Sequence, residues 1–192
     1  MINKKHDFKI LWNMPYHNLI SQWEKDKNEL SNQDLYFWRD ELRTRTWKSV
    51  GLKPYHPVHK MVENVFLPLG LTLGPTQYMI TVAGLNMDML HLDPPVRQAA
   101  INIPIEIEET MQFFLTGNAE DLTEAPRTES GAVKFKYEPE KCSFFNSRAP
   151  WIFNPRKPHA FANYAKTDRV VMSISILEDY DTALGLIPKE WF

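Results

Sequence analysis

From about residue 75 onward, short apolar segments alternate with turn residues along the chain. The segment 76–82 is rich in β-branched and aromatic residues, which favour β-strands, and Gly84 then marks a bend or bulge. Similar strand-like segments follow at 86–91, 99–107, 110–115, 132–137, 142–146, 149–153, 160–164 and 169–177. Seven or more short strands with turn signals between them predict a mainly β fold, either a small barrel or a sandwich.

The N-terminal part of the chain has a helical pattern preceded by one short strand. We predict an edge strand within 6–13, then a helix with Asn13 near its start and Pro15 in its first turn, where the missing N–H costs nothing. One side of this helix is apolar: Leu19, Ile20, Trp23 and Leu30. A second helical stretch is predicted from residue 31, with apolar residues that can share a face: Leu35, Phe37, Trp38, Leu42 and Trp47.

The histidines at 56 and 59 lie in a proline-rich segment. Pro54 and Pro57 argue against a regular helix there, and no convincing third metal ligand is nearby. We therefore interpret His56 and His59 as surface or packing residues rather than as a metal pair.

The length of 192 residues predicts a single domain. Within it we expect a helical flank at 1–74, a β core at 75–177 and a C-terminal tail at 178–192 that docks on the core. The polar, acidic segment 116–130 is the least core-like part of the chain. Composition leaves two interpretations of that segment open, a mobile lid and a plain surface insertion.

Composition and charge narrow the classes of function. Hydrophobic residues make up 43% and charged residues 24% of the chain, as in ordinary soluble globular proteins. The net charge of −2 provides no basic field for nucleic acid or an anionic membrane, and no apolar run is long enough to cross a bilayer. Cys142 is the only cysteine, so no intramolecular disulfide forms and a cytoplasmic location is expected.

A histidine and an aspartate stand at the end of the strand predicted at 86–91. His91 and Asp93 are two residues apart, and side chains at that spacing on a strand point to the same face. Pro94 and Pro95 then end the strand, since neither can donate to a ladder. One further histidine would complete the 2-His-1-carboxylate arrangement of non-haem Fe(II) sites, which leaves the opposite coordination positions open.

His159 is the candidate third ligand, because Pro158 precedes it in a rigid turn that leads into the next strand. Arg169 begins the following strand, ten residues further on. In a hairpin with a short turn, a residue at that distance lies back near His159. Its guanidinium fork suits a bidentate pair with a carboxylate.

Together, His91-x-Asp93, His159 and Arg169 resemble the pattern of the 2-oxoglutarate-dependent Fe(II) dioxygenases over about residues 76–177. The segments 102–105 (Asn-Ile-Pro-Ile) and 158–163 (Pro-His-Ala-Phe-Ala-Asn) also resemble small phage and bacterial members, and partly the aspartyl/asparaginyl β-hydroxylase branch. The resemblance implies a double-stranded β-helix, that is, a jelly-roll or cupin-like barrel, with N-terminal flanking helices.

The same resemblance implies an enzyme and its cofactors. His91, Asp93 and His159 would bind Fe(II), and Arg169 would hold the C5 carboxylate of 2-oxoglutarate. Oxidative decarboxylation of 2-oxoglutarate by O2 would then be coupled to hydroxylation, or a related oxidation, of a small molecule, an amino acid or a peptide side chain. Nothing in the sequence chooses among these substrates.

Two departures from the family pattern qualify this resemblance. Many members have Arg-x-Ser on the last strand, whereas here Val170 and Val171 follow Arg169 and the first serine is Ser173. Period two places Ser173 on the same face as Arg169, one step further along. The β-hydroxylase branch usually lacks the carboxylate ligand that Asp93 provides here, and the halogenases leave that position free for chloride, so Asp93 argues against both.

Five further residues are weaker candidates, each with a structural alternative. Tyr78, Asn102 and Ser173 lie on strands that can line the barrel and could bind 2-oxoglutarate, or they could simply support the strands. Arg97 would bind the co-substrate or an acidic substrate, or would pin the loop after Pro95. Trp151 would shape the entrance for the substrate, or would pack in the core.

Two other functions compete with the oxygenase. A non-catalytic cupin-type barrel that binds a metal or another ligand is disfavoured, since cupins usually show HxH with a downstream Glu and a Gly-rich first motif, which this chain lacks. A degenerate oxygenase fold that serves as a scaffold is disfavoured because every residue required for iron and oxo-acid binding is present.

Overall fold

Two antiparallel β-sheets form the protein in a computed structural model, which describes residues 7–30, 36–38, 47–85, 89–116, 118–124 and 133–192. In chain order the strands are β1 (Phe8–Ile10), β2 (Tyr36–Trp38), β3 (Trp47–Leu52), β4 (Leu73–Thr81), β5 (Met89–His91), β6 (Ala99–Glu106), β7 (Met111–Thr116), β8 (Lys134–Lys136), β9 (Cys142–Phe145), β10 (Trp151–Phe153), β11 (His159–Asn163) and β12 (Arg169–Ile176). The helices are α1 (His17–Asp26), α2 (Pro57–Phe66) and α3 (Tyr180–Leu186). Short 3-10 turns occupy Leu67–Leu69, Ala119–Asp121, Pro139–Lys141 and Lys189–Trp191.

The large sheet has the strand order β1-β10-β6-β12-β4-β3-β2, and the small sheet has the order β8-β5-β11-β7-β9. Every residue of β12 is buried, because one face of the large sheet meets the small sheet and the other is covered by helices. Alternation along β12 divides its side chains between these two faces. The inner face, toward the small sheet, carries Arg169, Val171 and Ser173, and the outer face carries Val170, Met172 and Ile174.

Apolar side chains from both sheets fill the space between them. This inner cluster contains Ala100, Phe113, Leu115, Trp151, Phe153 and Val171. The outer face of the large sheet packs in a larger cluster with the helices, where α1 contributes Leu19 and Trp23 and α2 contributes Val62 and Phe66. The tail also reaches this cluster, since the ring of Trp191 lies 6.2 Å from that of Phe66.

The predictions for the N-terminal part are confirmed in some respects and wrong in others. The edge strand is β1, paired with β10. A helix follows it as predicted, but α1 begins at His17 with Tyr16 at its N-cap, so Asn13 and Pro15 precede the helix instead of starting it. Residues 36–38 are a strand paired with β3 rather than part of a helix; the rest of that predicted helix, at 31–35 and 39–46, lies outside the described residues. The prediction against a helix beside His56 is also wrong, because α2 begins at Pro57, in the first turn that tolerates proline.

The flank predicted at 1–74 therefore contributes strands β1, β2 and β3 as well as helices, and the division of the chain at 74 and 177 stays a prediction. Within the acidic segment 116–130, residue 117 and residues 125–130 lie outside the described residues, while Ala119–Asp121 forms a 3-10 turn. None of the helices in the described ranges is long and apolar enough to cross a membrane.

Candidate metal centre

The structure brings the three predicted ligands together at one end of the space between the sheets. His91 at the end of β5 pairs directly with His159 at the start of β11, so the two imidazoles project side by side. The Oδ1 atom of Asp93 lies 3.6 Å from Nε2 of His91 and 3.7 Å from Nε2 of His159. One ligand atom from each residue falls within 4.8 Å of the others, and this is the single such group among the described parts of the chain.

A backbone contact and two aromatic rings orient the His159 imidazole. Its Nδ1 lies 2.9 Å from the carbonyl oxygen of Lys157, which leaves Nε2 directed at Asp93; metal-binding histidines commonly donate their second N–H in this way. The rings of Phe113 and Phe153 lie 5.8 and 5.1 Å from it. Because burial disfavours the imidazolium, the pKa of His159 falls to about 3, and the ring offers a neutral lone pair.

Asp93 is held as a carboxylate. Burial raises its pKa, but the hydrogen bond with His91, the proximity of His159 and the charge of Arg97 lower it by more, so the pKa lies below its ordinary value. The carbonyl oxygen of Asp93 accepts a hydrogen bond from Nη1 of Arg156 at 2.5 Å. Its backbone N–H donates to the carbonyl of Pro155, so the turn before β11 also fixes the backbone of the aspartate.

Arg97 connects Asp93 to the large sheet. Its Nη1 donates to Oδ2 of Asp93 at 2.7 Å, and its Nη2 donates to the hydroxyl of Ser173. That hydroxyl in turn donates to Oδ1 of Asn102 at 2.5 Å. Both terminal nitrogens of Arg97 therefore contact protein groups, and the predicted contact of Arg97 with substrate stays a prediction.

Arg169 lies on the same inner face, 2% exposed, between the rings of Trp151 at 5.8 Å and Phe161 at 4.7 Å. Its Nη1 has no hydrogen-bond partner, and no carboxylate of the described residues offsets its charge. Burial alone lowers the pKa of its guanidinium to about 9, so it stays charged near neutral pH. A buried charge without a counter-ion is unfavourable, and an anionic ligand relieves that cost.

Besides the hydroxyl of Thr81, which opposes Arg169 in the β12–β4 pair, two more buried donors on this inner face lack a partner among the described residues. These are Nε1 of Trp151 and Nδ2 of Asn102, which belong to residues directly opposed in the β10–β6 pair. Trp151 is 1% exposed and packs against Phe113 and Phe145. Its predicted role at the substrate entrance therefore does not fit, and its indole N–H is instead directed into the buried interior.

The prediction that Tyr78 binds 2-oxoglutarate is wrong. Tyr78 opposes Met172 of β12, and alternation therefore places it on the outer face, away from the metal site. Its hydroxyl donates to Oδ2 of Asp26 at the end of α1, and its ring meets that of Trp23 edge-on at 4.8 Å. The inner face of β4 carries its odd-numbered neighbours, including Thr81, which opposes Arg169.

Two basic residues at the site were missed by sequence reasoning. Arg156 lies in the turn before His159, and Lys134 opposes His91 from strand β8. The position of Arg156, two residues before Pro158 in the turn predicted to orient His159, could have indicated it from the sequence. Nothing near Lys134 in the sequence identifies its partner strand.

No family model matches the chain, and no curated protein matches it. Solved structures do. The epimerase SnoN, in complex with Fe3+, alpha-ketoglutarate and nogalamycin RO, matches with a TM-score of 0.61 at 6% identity, over 91% of this chain and 80% of that one. A prolyl-4-hydroxylase from Pseudomonas putida matches with a TM-score of 0.54 at 12% identity, over 91% and 94%. HygX from Streptomyces hygroscopicus, with nickel and 2-oxoglutarate bound, matches with a TM-score of 0.54 at 12% identity, over 89% and 82%.

This chain has the fold of the 2-oxoglutarate-dependent oxygenases. The predicted double-stranded β-helix with flanking helices is thereby confirmed. Similarity at these identities defines the fold, and fold alone does not define chemistry. For a chain with the oxygenase fold, the chemistry is decided by the three ligand atoms and by the buried donors around Arg169.

Proposed function

We propose that this protein is a non-haem Fe(II) enzyme that uses 2-oxoglutarate and O2 to hydroxylate, or otherwise oxidise, a small molecule, an amino acid or a peptide side chain. One observation carries the proposal: the three convergent ligand atoms share one inter-sheet space with a buried guanidinium that has no counter-ion among the described residues. The two features together fit a metal and a dicarboxylate, whereas the triad alone fits any divalent-metal site.

The donor set of His91, Asp93 and His159 fits Fe(II). Two neutral imidazoles and one carboxylate are the ligands of the facial triad, and the Oδ2 atom of Asp93 is already bonded to Arg97, which leaves Oδ1 for the metal. When bound, Fe(II) supplies the activation of O2 that no side chain can provide. The protein holds the ligands in place and surrounds them with the rings of Phe113 and Phe153, which exclude water.

Arg169 would hold the C5 carboxylate of 2-oxoglutarate. Its unpaired Nη1 and the free N–H groups of Trp151 and Asn102 are three buried donors on one sheet face, and a carboxylate can accept from more than one of them. Ser173 supports this face, because its hydroxyl fixes the Oδ1 atom of Asn102 and thereby leaves the amide nitrogen as a donor.

In the proposed reaction one oxygen atom of O2 enters succinate, formed with CO2 from 2-oxoglutarate, and the other enters the product. The free thiol of Cys142 is compatible with a reducing cytoplasm, where we place the reaction. Neither the net charge of −2 nor any motif of the chain favours a nucleic-acid substrate.

Succinate formation tests the proposal. The protein is supplied with Fe(II) and 2-oxoglutarate in air, and succinate is measured with free amino acids, peptides and small metabolites added in turn. We expect slow turnover that a substrate accelerates, loss of turnover in His159→Ala, and no loss in His17→Ala, a change at an exposed histidine. Absence of succinate in the wild type under all conditions would favour a non-catalytic barrel.

A further inference from the structure

Strand β8 places a lysine beside the candidate metal site. Lys134 is directly opposed to His91 across the antiparallel β8–β5 pair, and opposed residues project from the same face with Cβ atoms about 5 Å apart. On its other side His91 is opposed to His159. The three residues therefore form one row across the small sheet, with the lysine at one end of the row.

The burial of the neighbouring residue confirms the direction of the Lys134 side chain. Phe135 packs with Leu90 and Phe114 in the cluster on the outer face of the small sheet. Because successive strand residues alternate, Lys134 projects to the inner face, on the side of the histidines. Glu124 is bridged to Phe135, and so belongs to the outer face rather than to the face of Lys134.

Lys134 is half-buried and makes no hydrogen bond or ion pair with the described residues. A second cation, Arg156, is also half-buried. Of its guanidinium nitrogens, only Nη1 bonds to the described chain, at the carbonyl of Asp93. The carboxylate of Asp93 is already paired with Arg97, so the described part of this rim has an excess of positive charge.

We propose that Lys134 and Arg156 bind an anionic group of the substrate, a carboxylate or a phosphate, at the rim of the metal site. The substrate class rests on the proposed oxygenase function, while the anion site itself does not. Ion pairs gain strength where solvent is partly excluded, and clustered cations in a cleft concentrate anionic ligands. The two residues thereby select acidic substrates and place the anion next to His91.

Lysine-resolved NMR tests the anion site without turnover. The lysines are ¹³C-dimethylated in protein loaded with Zn(II) and 2-oxoglutarate, and the signal of Lys134 is assigned by its loss in Lys134→Ala. Inorganic phosphate and acetate are titrated separately, which distinguishes the two anion classes. We expect one of them to shift the Lys134 signal saturably with a midpoint on the order of 1–10 mM, while the signal of exposed Lys166 shows no saturable shift.

Equal, unsaturable drift of the Lys134 and Lys166 signals with both anions overturns the proposal. A second experiment measures succinate formation with pairs of compounds that differ in one anionic group, such as N-acetylglutamate and N-acetylglutamine, or glucose 6-phosphate and glucose. Stimulation of succinate formation by an anionic member should fall about tenfold or more in Lys134→Ala, recover in Lys134→Arg and persist in Lys166→Ala. A neutral compound that stimulates wild type and Lys134→Ala equally contradicts it.

The two proposals fail in different ways. Loss of 2-oxoglutarate binding or of succinate formation in the wild type, with the Lys134 shift intact, overturns the oxygenase function and leaves the anion site standing. Normal 2-oxoglutarate turnover without any anion effect at Lys134 overturns the anion site and leaves the oxygenase function standing.

Discussion

Arg97 donates from Nη1 to Oδ2 of Asp93 at 2.7 Å, on the carboxylate oxygen that is not the one directed at the two histidines. The contact therefore fixes the rotation of the carboxylate and reserves Oδ1 for the metal. Partners of this kind, in contact with a ligand rather than with the metal, typically contribute a factor of 10–100 to metal affinity.

We expect Arg97→Ala to weaken Fe(II) or Zn(II) binding by about 10–100-fold, measured by competition with a chromogenic chelator. Arg97→Lys should recover part of the loss, because an ammonium can still reach one carboxylate oxygen. Arg148→Ala, at an exposed arginine, is the control. Unchanged metal affinity in Arg97→Ala contradicts a positioning role.

Arg169→Met should separate co-substrate binding from metal binding. Loss of a charge-assisted contact in a buried site costs on the order of 2–5 kcal/mol, so 2-oxoglutarate affinity should fall steeply while Zn(II) affinity is kept. Replacing an uncompensated buried charge by an apolar side chain also removes its desolvation cost. Without 2-oxoglutarate the variant should therefore melt at or above the wild-type temperature, measured by calorimetry. Addition of 2-oxoglutarate should raise the Tm of the wild type but not that of Arg169→Met.

Tyr78→Phe should lower stability and leave 2-oxoglutarate affinity unchanged, since Tyr78 bonds to Asp26 on the outer face of the large sheet. Loss of one hydrogen bond to a buried carboxylate costs about 1–3 kcal/mol, which denaturant unfolding can measure. A drop in 2-oxoglutarate affinity with stability intact would restore the role that the sequence predicted for this residue.

Acid sensitivity should depend on Asp26. Burial raises the pKa of its carboxyl. Hydrogen bonds with His56, Tyr78 and Gln22 lower that pKa by more than burial raises it, so the pKa lies below the ordinary value of 3.8. A depressed carboxyl pKa means that the unfolded chain binds more protons, so stability is present above pH 3.8 and is lost as the pH falls through the lower, folded pKa. The stability advantage of the wild type over Asp26→Asn, measured by urea unfolding, should shrink below about pH 4; a constant difference contradicts this.

Sequence reasoning succeeded where a short local rule fixes the geometry. The spacing of two residues places Asp93 beside His91, although β5 ends at His91 and Asp93 lies just beyond the strand. The proline turn leads into β11 at His159 as predicted. The hairpin expected between His159 and Arg169 is wrong, because β11 belongs to the small sheet and β12 to the large sheet; Arg169 lies on the same side as His159 because the inner faces of the two sheets meet. Tyr78 was misplaced because both faces of β4 are buried. Its apolar pattern therefore carries no signal of which face meets the small sheet, and that choice depends on pairing with β12, about ninety residues later.

Lys134 and His56 show two further limits. The local sequence Lys-Phe-Lys of β8 indicates an exposed strand, and only its pairing with β5 places Lys134 next to His91. His56 precedes a proline that was expected to prevent a helix, yet Pro57 occupies the first helical position and Nδ1 of His56 accepts the N–H of Val58 at 3.2 Å. Long-range strand pairing determines the position of Lys134, and capping geometry allows the helix that begins beside His56.

In the proposed enzyme, one metal ion and one 2-oxoglutarate bind together between the two sheets. Titration of 2-oxoglutarate into the Fe(II) protein without O2, followed by visible absorption, tests it most directly. We predict a weak band from the metal–oxo-acid chelate that saturates at one equivalent, is absent in His159→Ala and needs far more 2-oxoglutarate in Arg169→Met. No band in the wild type, or a band that Arg169→Met leaves at the same midpoint, would contradict the account.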